Sequence, residues 1–411
     1  MALRDRSLGF ERWIGRRLLA RSAVPGVELA LWDGTSLRHG VAPKRGRIVL
    51  HDRGALYQLL LDPGLAFGDG FSEGRIGVEG DLVALLEALY DAPWSPGPLG
   101  RASAALWRRR GQSNTLRGSR RNIHRHYDLG NDFFELWLDP EMVYTCAYFP
   151  TPSSSLEQAQ RAKLELVARK IWAKPGDRIL ELGCGWGSLA LHLARHHGAH
   201  VTAYNISAEQ ICFARERAKR EGLDDRVHFV EDDYRNAEGR YDAVVSVGML
   251  EHVGARHHRA FGETIERCLC DDGRGLVHSI GRVQASPMDP WIQRRIFPGS
   301  YAPTLAEMVA LLSRLGLSVL DVENLRLHYA KTLEHWLERY EKNVERVRQR
   351  LGDDFARAWR LYLAGSIAAF RASSLQLWQV VFSRARSNAI PWTRASLGQS
   401  GERAAWNAST S

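Results

Sequence analysis

The sequence predicts an α/β fold, in which a doubly wound, mostly parallel sheet follows a small N-terminal α+β domain. From about residue 172, short apolar segments alternate with helix-length segments, a rhythm typical of parallel strands covered by helices. Before residue 100, apolar runs at 48–50 and 56–61 are separated by turn-rich pieces at 68–70 and 79–81. At 411 residues, the chain is long enough for one large domain and a smaller one, each with its own core.

The smaller domain is predicted to span residues 1–100, because a Pro/Gly-rich bridge at 93–100 closes it. Residues 101–125 follow as a basic linker with eight arginines and no acidic residue, within a chain of formal charge +9. Such a segment is either solvated or faces an anionic membrane or partner surface. Nucleic acid is disfavoured as a partner, because no helix-turn-helix, zinc-finger or RNA-binding signature accompanies the charge.

The rest of the composition favours a cytoplasmic protein. No run of about 18 apolar residues occurs, which argues against an ordinary transmembrane helix. The charged N-terminus lacks the apolar core of a secretory signal, and the five scattered cysteines favour a reducing compartment. We therefore expect any membrane contact to be peripheral, at the inner face of the cell membrane.

The larger domain is predicted over residues 126–385. Apolar residues at helical spacing through 333–351 and a helix at 353–372 predict a helical insertion late in the sheet. The tail, 386–411, lacks periodicity and is expected to be disordered. The strands are expected at 178–181, 199–204, 227–230, 242–247, 275–280 and 376–382.

A glycine-rich turn follows the first of these strands and precedes a helix that starts near Ser188. Glu181, Gly183, Gly185 and Gly187 form the spacing Glu-x-Gly-x-Gly-x-Gly. Glycines allow a sharp turn and a close approach of the backbone to a ligand. This spacing differs from the dinucleotide fingerprint and is similar to the first motif of S-adenosylmethionine-dependent methyltransferases. A structural turn without a ligand is the alternative interpretation.

Polar residues follow the next two strands at the interval that such a cofactor site requires. Asn205, Ser207 and Gln210, after the second strand, are expected to reach the ribose or the methionine part. Asp232 and Asp233, after the third strand, are expected to hold the adenine amino group.

Further motifs narrow the resemblance. Over about residues 120–384, the sequence resembles cyclopropane fatty acid synthases and the related mycolic acid methyltransferases. The resemblance implies a class I methyltransferase fold with S-adenosylmethionine as cofactor, and it places Tyr144 and Thr145 among the cofactor-binding residues. The motifs are HYDLGNDFF (126–134), YTCAYF (144–149), GCGWG (183–187), ISAEQ (206–210), EHVG (251–254), IFPG (296–299) and HYAKTL (328–333).

The first hundred residues resemble the extra domain of the phospholipid-acting branch of this family. The resemblance implies a lipid-handling or membrane-docking domain and, as substrate, the acyl chain of an unsaturated phospholipid in a membrane. It also makes a homodimer an expectation. Leu250, Ser300 and Asn205 depart from the usual residues of the family and predict a difference in substrate shape more than in chemistry.

The chemistry that the resemblance implies needs a base. A carbon–carbon double bond is a poor nucleophile, so the sulfonium methyl group must be held in line with it while water is excluded from the carbocation. One proton must then leave the new methyl group before the ring closes. By resemblance, the base is a bound bicarbonate ion. The positions that would hold it are Cys146, Glu251, His278, the backbone of Ile280, and Tyr329.

Each of these residues also has a plainer interpretation. Taken singly, Cys146 is a small buried residue, His278 a hydrogen-bonded core histidine, and Tyr329 a packed aromatic residue. Glu251 is equally suited to cap the next helix. The aromatic pieces at 144–149 and 291–301 are as suited to a core as to the wall of an acyl tunnel.

We therefore predict a cyclopropane fatty acid synthase. The closest competing hypothesis is methyl branching or methylenation of the acyl chain from the same carbocation. Methylation of a small amine is a second competing hypothesis, and a non-catalytic lipid-binding protein is a third.

Overall fold

The computed structural model describes residues 2–22, 24–40, 45–91 and 129–394. The predicted basic linker at 101–125 and most of the predicted tail, 395–411, lie outside the described residues. The described part of the tail, 386–394, contains no strand or α-helix, and Arg394 pairs with Asp321 there at 2.5 Å.

The N-terminal part is a four-stranded mixed sheet covered by helices, which confirms the predicted α+β unit. The strands are β1 (Val27–Ala30), β2 (Ser36–Arg38), β3 (Gly46–Leu50) and β4 (Ile76–Glu79), and the helices are α1 (Ala2–Ser22), α2 (Arg53–Leu61), α3 (Pro63–Ser72) and α4 (Leu82–Asp91). The strand order is β2-β1-β3-β4, with β1 and β3 parallel. Ile14, Leu29, Leu50 and Leu56 are buried in a core that belongs to this unit.

A seven-stranded sheet forms the centre of the larger part and confirms the α/β class. The strands are β5 (Arg178–Leu182), β6 (His200–Asn205), β7 (Val227–Glu231), β8 (Tyr241–Val247), β9 (Leu269–Gly281), β10 (Leu317–Asn324) and β11 (Gln376–Arg384). Their order is β10-β11-β9-β8-β5-β6-β7. The neighbours from β9 to β7 pair in parallel, whereas β11 pairs antiparallel with both β9 and β10.

The sequence predicts six of these strands and misses β10. This edge strand is half-buried along most of its length, so it lacks the alternation that marks a one-sided strand. The strand predicted at 275–280 is β9, which is longer than predicted because it begins at Leu269.

Helices cover both faces of this sheet. They are α5 (Asn131–Glu135), α6 (Leu156–Lys170), α7 (Ser188–His197), α8 (Ala208–Arg220), α9 (Leu250–Val253), α10 (His258–Cys268), α11 (Leu305–Ser313), α12 (Arg326–Lys342), α13 (Val344–Leu351) and α14 (Asp353–Arg371). Capping boxes start α6 at Ser155 and α11 at Thr304. In the described part of the chain, every helix is too short or too polar to span a bilayer.

The predicted helical insertion lies between β10 and β11 and consists of α12, α13 and α14. The apolar stripe expected over 333–351 is divided between two helices, because the chain bends at Asn343. The Asn343 side chain donates hydrogen bonds to the carbonyl oxygens of Leu136 at 2.9 Å and Arg339 at 3.0 Å. A side-chain amide that binds backbone carbonyls in this way competes with the helical ladder.

Helix α14 joins the two parts of the molecule. It packs against α12 on one side and against α3 and α4 on the other. Ion pairs connect the N-terminal unit to the larger part, with Arg295 on Asp69 at 2.8 Å and Arg371 on Glu87 at 2.8 Å. The N-terminal unit is therefore packed on the helical insertion.

Gly68 allows the closest of these contacts and generates a prediction about stability. A Cβ atom at Gly68 would lie 2.3 Å from Cγ of the buried Trp291 ring, which is rigid. We expect Gly68→Ala to lower the free energy of unfolding by about 1–3 kcal/mol through overpacking. Gly64→Ala is the matched control, because its Cβ would lie 3.5 Å from Pro290, an ordinary contact. Thermal unfolding of both variants checks this, and equal melting temperatures would contradict it.

Candidate active site

The glycine turn sits at the carboxyl end of β5, at the centre of the sheet. Gly183, Gly185 and Gly187 have φ angles of 84°, 53° and 83°, a region that residues with a Cβ atom rarely adopt. The N–H of Gly183 donates to the carbonyl of Tyr204 at 2.9 Å, which ties the turn to β6. Helix α7 starts directly after the turn, so its free N–H groups face the same space.

The polar residues after β6 brace the turn. Nδ2 of Asn205 donates to the carbonyl oxygen of Gly185 at 3.3 Å and to Oε1 of Gln210 at 2.7 Å. Oγ of Ser207 accepts from the N–H of Gln210 at 3.4 Å and caps α8. Asn205 therefore holds the turn and the next helix start together.

A cavity of about 110 Å³ lies beside the turn. Glu181 is 2% exposed at its wall, and its Oε2 atom is buried and has no hydrogen-bond partner among the described residues. Burial raises the pKa of Glu181 to about 7. An unpartnered buried carboxyl oxygen suits a ligand that brings a donor group. Among the predicted cofactor residues, the cavity is lined by Tyr144, Thr145, Glu181, Gly183, Gly185, Asn205 and Gln210.

Four residues predicted for the cofactor lie outside that lining: Gly187, Ser207, Asp232 and Asp233. Both carboxylate oxygens of Asp233 accept hydrogen bonds from Arg235, each at 2.7 Å, so this side chain is already paired. Oδ1 of Asp232 accepts from the N–H of Asp233 at 2.7 Å, and the residue is half-buried at the end of β7. Both oxygens of Asp232 also accept hydrogen bonds from Nδ2 of Asn236, each at 3.1 Å. A role in adenine binding stays a prediction for both residues.

A second, larger cavity of about 360 Å³ adjoins the first. Both cavities are lined by Tyr144, Thr145, Gly248 and His252, so the two spaces share a boundary. The predicted aromatic pieces contribute in part: Tyr144 and Thr145 from the first piece, and Trp291, Ile292, Phe297 and Ser300 from the second. Further apolar side chains on the wall are Phe67, Leu86, Leu333, Leu361, Tyr362 and Phe370.

Three of the five predicted catalytic positions, Glu251, Ile280 and Tyr329, line the larger cavity. Glu251 follows β8 on the short helix α9 and is 7% exposed. Its carboxyl group accepts hydrogen bonds from Oγ of Ser279 at 2.8 Å and from the N–H of Ile280 at 3.4 Å. Burial raises the pKa of Glu251 to about 7, so its protonated form is populated near neutral pH.

The other two positions, His278 and Cys146, lie behind the cavity wall and not on it. The Cys146 side chain is fully buried, with Sγ 3.1 Å from the carbonyl oxygen of Ala147. Burial raises the pKa of the Cys146 thiol, so it stays protonated. Burial, with the charge of Lys163 as a smaller cause, lowers the pKa of His278, so its imidazole is neutral.

A hydrogen-bond chain fixes the tautomer of His278. Nζ of Lys170 can only donate, and it donates to Oε1 of Gln379 at 2.7 Å. Nε2 of Gln379 therefore faces Nδ1 of His278, 3.0 Å away, and donates to it. The imidazole proton must then be on Nε2, which is buried. In the part of the chain that the structure describes, this N–H donor has no acceptor.

Lys163 is a site residue that the sequence analysis missed. It is fully buried on α6, lines the smaller cavity, and its Nζ donates to Oγ1 of Thr145 at 2.9 Å. Burial lowers the pKa of Lys163 to about 8, while the nearby Asp139 opposes this shift. The sequence does contain a hint, because Lys163 lies four residues from both Ala159 and Val167 and so shares the buried apolar face of α6 with them. A lysine in such a stripe needs a reason to be buried.

The three departures from the family pattern have different surroundings. Leu250 is 1% exposed in the core beside β8, away from both cavities. Asn205 braces the glycine turn. Ser300 lines the larger cavity, and its buried Oγ forms no hydrogen bond with any residue in the described ranges. Of the three, Ser300 is the one that contacts the substrate-sized space.

Comparison with known proteins agrees with this geometry. A family model described as "Mycolic acid cyclopropane synthetase" matches residues 114–380, and one described as "Domain of unknown function (DUF7884)" matches residues 15–95. A "Probable fatty acid methyltransferase" of Pseudomonas putida is 35% identical over 390 residues, which cover 90% of this chain and 96% of that protein. The "Cyclopropane-fatty-acyl-phospholipid synthase" of Escherichia coli K12 is 40% identical over 266 residues, covering 64% and 68%.

A solved structure agrees as well. The crystal structure of the mycolic acid cyclopropane synthase CmaA1 complexed with SAH and CTAB has a TM-score of 0.62 and 28% identity, and it covers 64% of this chain and 98% of that chain. Fold, glycine turn and paired cavities define a class I S-adenosylmethionine-dependent methyltransferase. More narrowly, the chain belongs to the mycolic acid cyclopropane synthetase family, whose model spans more than half of it.

The raised pKa of Glu251 predicts a pH-dependent stability. Since burial raises its pKa from 4.5 in the unfolded chain to about 7 in the folded one, the contribution of this group to stability is fully present below pH 4.5 and is lost as pH rises through 7. Glu251→Gln stays neutral throughout. Without cofactor or lipid, we measure the melting temperature of the variant minus that of the wild type. We expect this difference to increase by several degrees from pH 5 to pH 8, which corresponds to roughly 3 kcal/mol.

The control is Glu216→Gln, which removes an exposed carboxyl group on α8. Its melting temperature should follow that of the wild type at every pH. A Glu251→Gln difference that does not change with pH would show that the Glu251 carboxyl group ionises normally in the folded protein.

Proposed function

We propose that this enzyme transfers the methyl carbon of S-adenosylmethionine to the cis double bond of an unsaturated phospholipid acyl chain and forms a cyclopropane ring. The observation that carries the proposal is the shared boundary of the two cavities at Tyr144, Thr145, Gly248 and His252. A cofactor in the smaller cavity and an acyl chain in the larger one would meet there. That arrangement supplies the proximity that a weak nucleophile requires.

The wall of the larger cavity suits an acyl chain that becomes cationic. Phe67, Leu86, Leu333 and Leu361 offer apolar contact, as an alkyl chain needs. The rings of Tyr144, Tyr329 and Phe297 on the same wall can stabilise positive charge through their faces. Apolar packing also keeps water from quenching the cation.

The proposed reaction balances as follows. S-adenosylmethionine supplies an electrophilic sulfonium methyl group. The π electrons of the alkene form the new carbon–carbon bond while the carbon–sulfur bond breaks, which leaves a carbocation and S-adenosylhomocysteine. Loss of a proton from the new methyl group gives the electron pair that closes the ring. Glu181, with its unpartnered oxygen, is suited to bind the positively charged amino acid part of the cofactor.

For the proton acceptor we infer bicarbonate, following the family resemblance, and the donors around Glu251 support it. Protonated Glu251 would donate a hydrogen bond to such an anion. His278 offers the Nε2–H that lacks an acceptor. Tyr329 reaches the same cavity. A bound bicarbonate would supply a base without a charged side chain at the alkene.

The N-terminal domain, proposed to span residues 1–100, is suited to handle the lipid. Phe67 on α3 and Leu86 on α4 belong to the wall of the larger cavity, so this domain completes the space for the acyl chain. We propose the catalytic domain over 126–385, with the arginine-rich 101–125 between them. A homodimer stays a prediction from the resemblance alone.

An exposed aromatic face on α1 is the proposed membrane contact. Phe10 and Trp13 are 56% and 52% exposed, and their rings stack with centroids 5.9 Å apart. The guanidinium of Arg17 lies 5.1 Å from the Trp13 ring, and Arg16 is exposed on the same helix. Aromatic and arginine side chains together favour the boundary between headgroups and acyl chains of an anionic bilayer. The enzyme would then work at the cytoplasmic face of the cell membrane.

Methyl branching is the second candidate, because a relative that covers 90% of this chain is named a fatty acid methyltransferase. In that reaction, a hydride shift moves the cation, and proton loss or reduction follows. Compared with the substrate, its saturated product has gained CH2 and two further hydrogens. This reaction therefore needs a reductant, which cyclopropanation does not need.

The reaction itself is tested by lipid mass spectrometry. Purified protein is incubated with S-adenosylmethionine and vesicles of monounsaturated phosphatidylglycerol. We expect one CH2 to be added per acyl chain with loss of the double bond. Glu251→Gln should lower the rate by roughly 10²-fold or more, since removing a proton-transfer group costs that much. Glu216→Gln is the control and should keep the wild-type rate.

The outcomes separate the candidates. A CH2 gain with the double bond retained indicates methylenation. A gain of CH2 plus two hydrogens, in a parallel incubation that contains NADPH as hydride donor, indicates branching. No lipid product from a protein that still binds S-adenosylhomocysteine would contradict lipid methylation and favour a small amine substrate or a non-catalytic role.

Membrane docking is tested by vesicle sedimentation. We expect Phe10→Ser with Trp13→Ser, and separately Arg108→Glu, Arg109→Glu and Arg110→Glu, to weaken binding to anionic vesicles by roughly tenfold or more. The effect of the arginine changes should shrink at high salt. Trp392→Ser removes a tryptophan that is 90% exposed outside the N-terminal domain and should bind as the wild type does. Unchanged binding of both variants would rule out this surface.

A further inference from the structure

A cluster of potential metal ligands lies where α6 packs against α7, outside both cavities. Oε2 of Glu165 is 3.3 Å from Nε2 of His192 and 3.0 Å from Nε2 of His197. The ligand atoms of all three side chains lie within 4.8 Å of one another. None of these residues lines the smaller or the larger cavity.

The local sequence explains how the cluster forms. His192 and His197 lie on the last two turns of α7, which ends at Gly198 in the left-handed conformation, φ 63°. Glu165 comes from α6, so the cluster connects two helices that meet side by side. Two imidazole rings thus direct the same nitrogen, Nε2, at one carboxylate oxygen.

We propose that Glu165, His192 and His197 form a binding site for a divalent transition-metal ion, with Zn²⁺ as the best match. Zn²⁺ takes histidine nitrogen and carboxylate oxygen ligands at about 2.0–2.2 Å in tetrahedral geometry, so neighbouring ligand atoms stand about 3.3 Å apart. The distances of 3.3 Å and 3.0 Å from the two histidine nitrogens to Oε2 of Glu165 are close to this spacing. A Mg²⁺ or Ca²⁺ ion would prefer an all-oxygen set.

The exposure of the three side chains suits the same ion. The side chains of His192 and His197 are 12% and 18% exposed, whereas that of Glu165 is 42% exposed. The imidazoles are therefore held by packing, while the carboxylate side is open for an ion to enter and keep a water ligand. Both rings present Nε2 to the same carboxylate oxygen, so the open side of the cluster carries the carboxylate and the packed side carries the two imidazoles.

The position of the site indicates a bracing role. Helix α7 is ten residues long, about 15 Å, and it carries the glycine turn at its start and the cluster at its end. Helix α6 carries Lys163, which binds Thr145 at the boundary of the two cavities. An ion at the cluster would join these two helices from outside without contacting cofactor or lipid. The inference is independent of the proposed reaction.

Calorimetric titration tests the site. The full chain is treated with a chelator, exchanged into chelator-free buffer, and titrated with ZnCl2 in parallel with Glu165→Gln, His192→Gln and His197→Gln. We expect one Zn²⁺ equivalent to bind the wild type, and each variant to bind it at least roughly tenfold more weakly. His200→Gln, which removes an exposed histidine just after α7, is the matched control and should bind as the wild type does.

Two further readouts keep the test independent of folding defects. Bound Zn²⁺ should raise the melting temperature of the wild type and of His200→Gln but not that of Glu165→Gln, since only a ligand of the folded state stabilises it. Co²⁺ should give the intense visible absorption of a tetrahedral site in the same two proteins. Equal Zn²⁺ affinity in all variants, or an octahedral Co²⁺ spectrum in the wild type, would overturn the proposal.

Discussion

The hydroxyl groups of Tyr144 and Tyr362 are 2.8 Å apart, and this hydrogen bond joins the segment between the two cavities to the helical insertion. Around it, Phe134, Trp137 and Trp336 pack their rings against Tyr144 at centroid distances of 5.2–5.5 Å. Burial raises the pKa of Tyr362, so its hydroxyl stays neutral beside the apolar wall. These rings belong to one buried cluster with Phe71 and Leu86 of the N-terminal unit and Leu363 of α14. This packing limits the room for water at the boundary of the two cavities, which the proposed carbocation would require.

A dry boundary makes every polar group there costly. Glu181 and Glu251 both have a pKa raised to about 7 by burial, and the pKa of Lys163 is held at about 8 by the same cause. Such groups lower the stability of the folded chain unless a ligand supplies their missing partners. Concentration of these shifts at the carboxyl edge of the sheet, where α/β enzymes bind their ligands, is itself an argument for function. The pH dependence of stability that Glu251 confers is one part of that cost.

The sequence revealed the parts of this site that depend on local patterns. The glycine turn and the strands β5 to β9 were predictable, because each combines apolar runs with turn residues at short range. Lys163 was not, because a lysine acquires meaning only when the surrounding helix is known to be buried. The bend at Asn343 depends on a carbonyl of Leu136, about two hundred residues away in the chain. Phe67 and Leu86 line the larger cavity because α3 and α4 pack on α14. No local sequence pattern encodes that packing.

In the proposed reaction, the choice between ring and branch would depend on the time that the carbocation survives. A base already in place removes the methyl proton before a hydride can shift, so the groups around Glu251 bear directly on the product. Gln379, directly opposite His278 on the neighbouring strand β11, and Lys170 orient His278 with its proton on Nε2. A fixed donor holds an anion in one orientation, whereas a rotating or doubly protonated imidazole would not. If the proposed anion binds there, the hydrogen-bond chain behind the cavity wall would support early proton removal and so the ring.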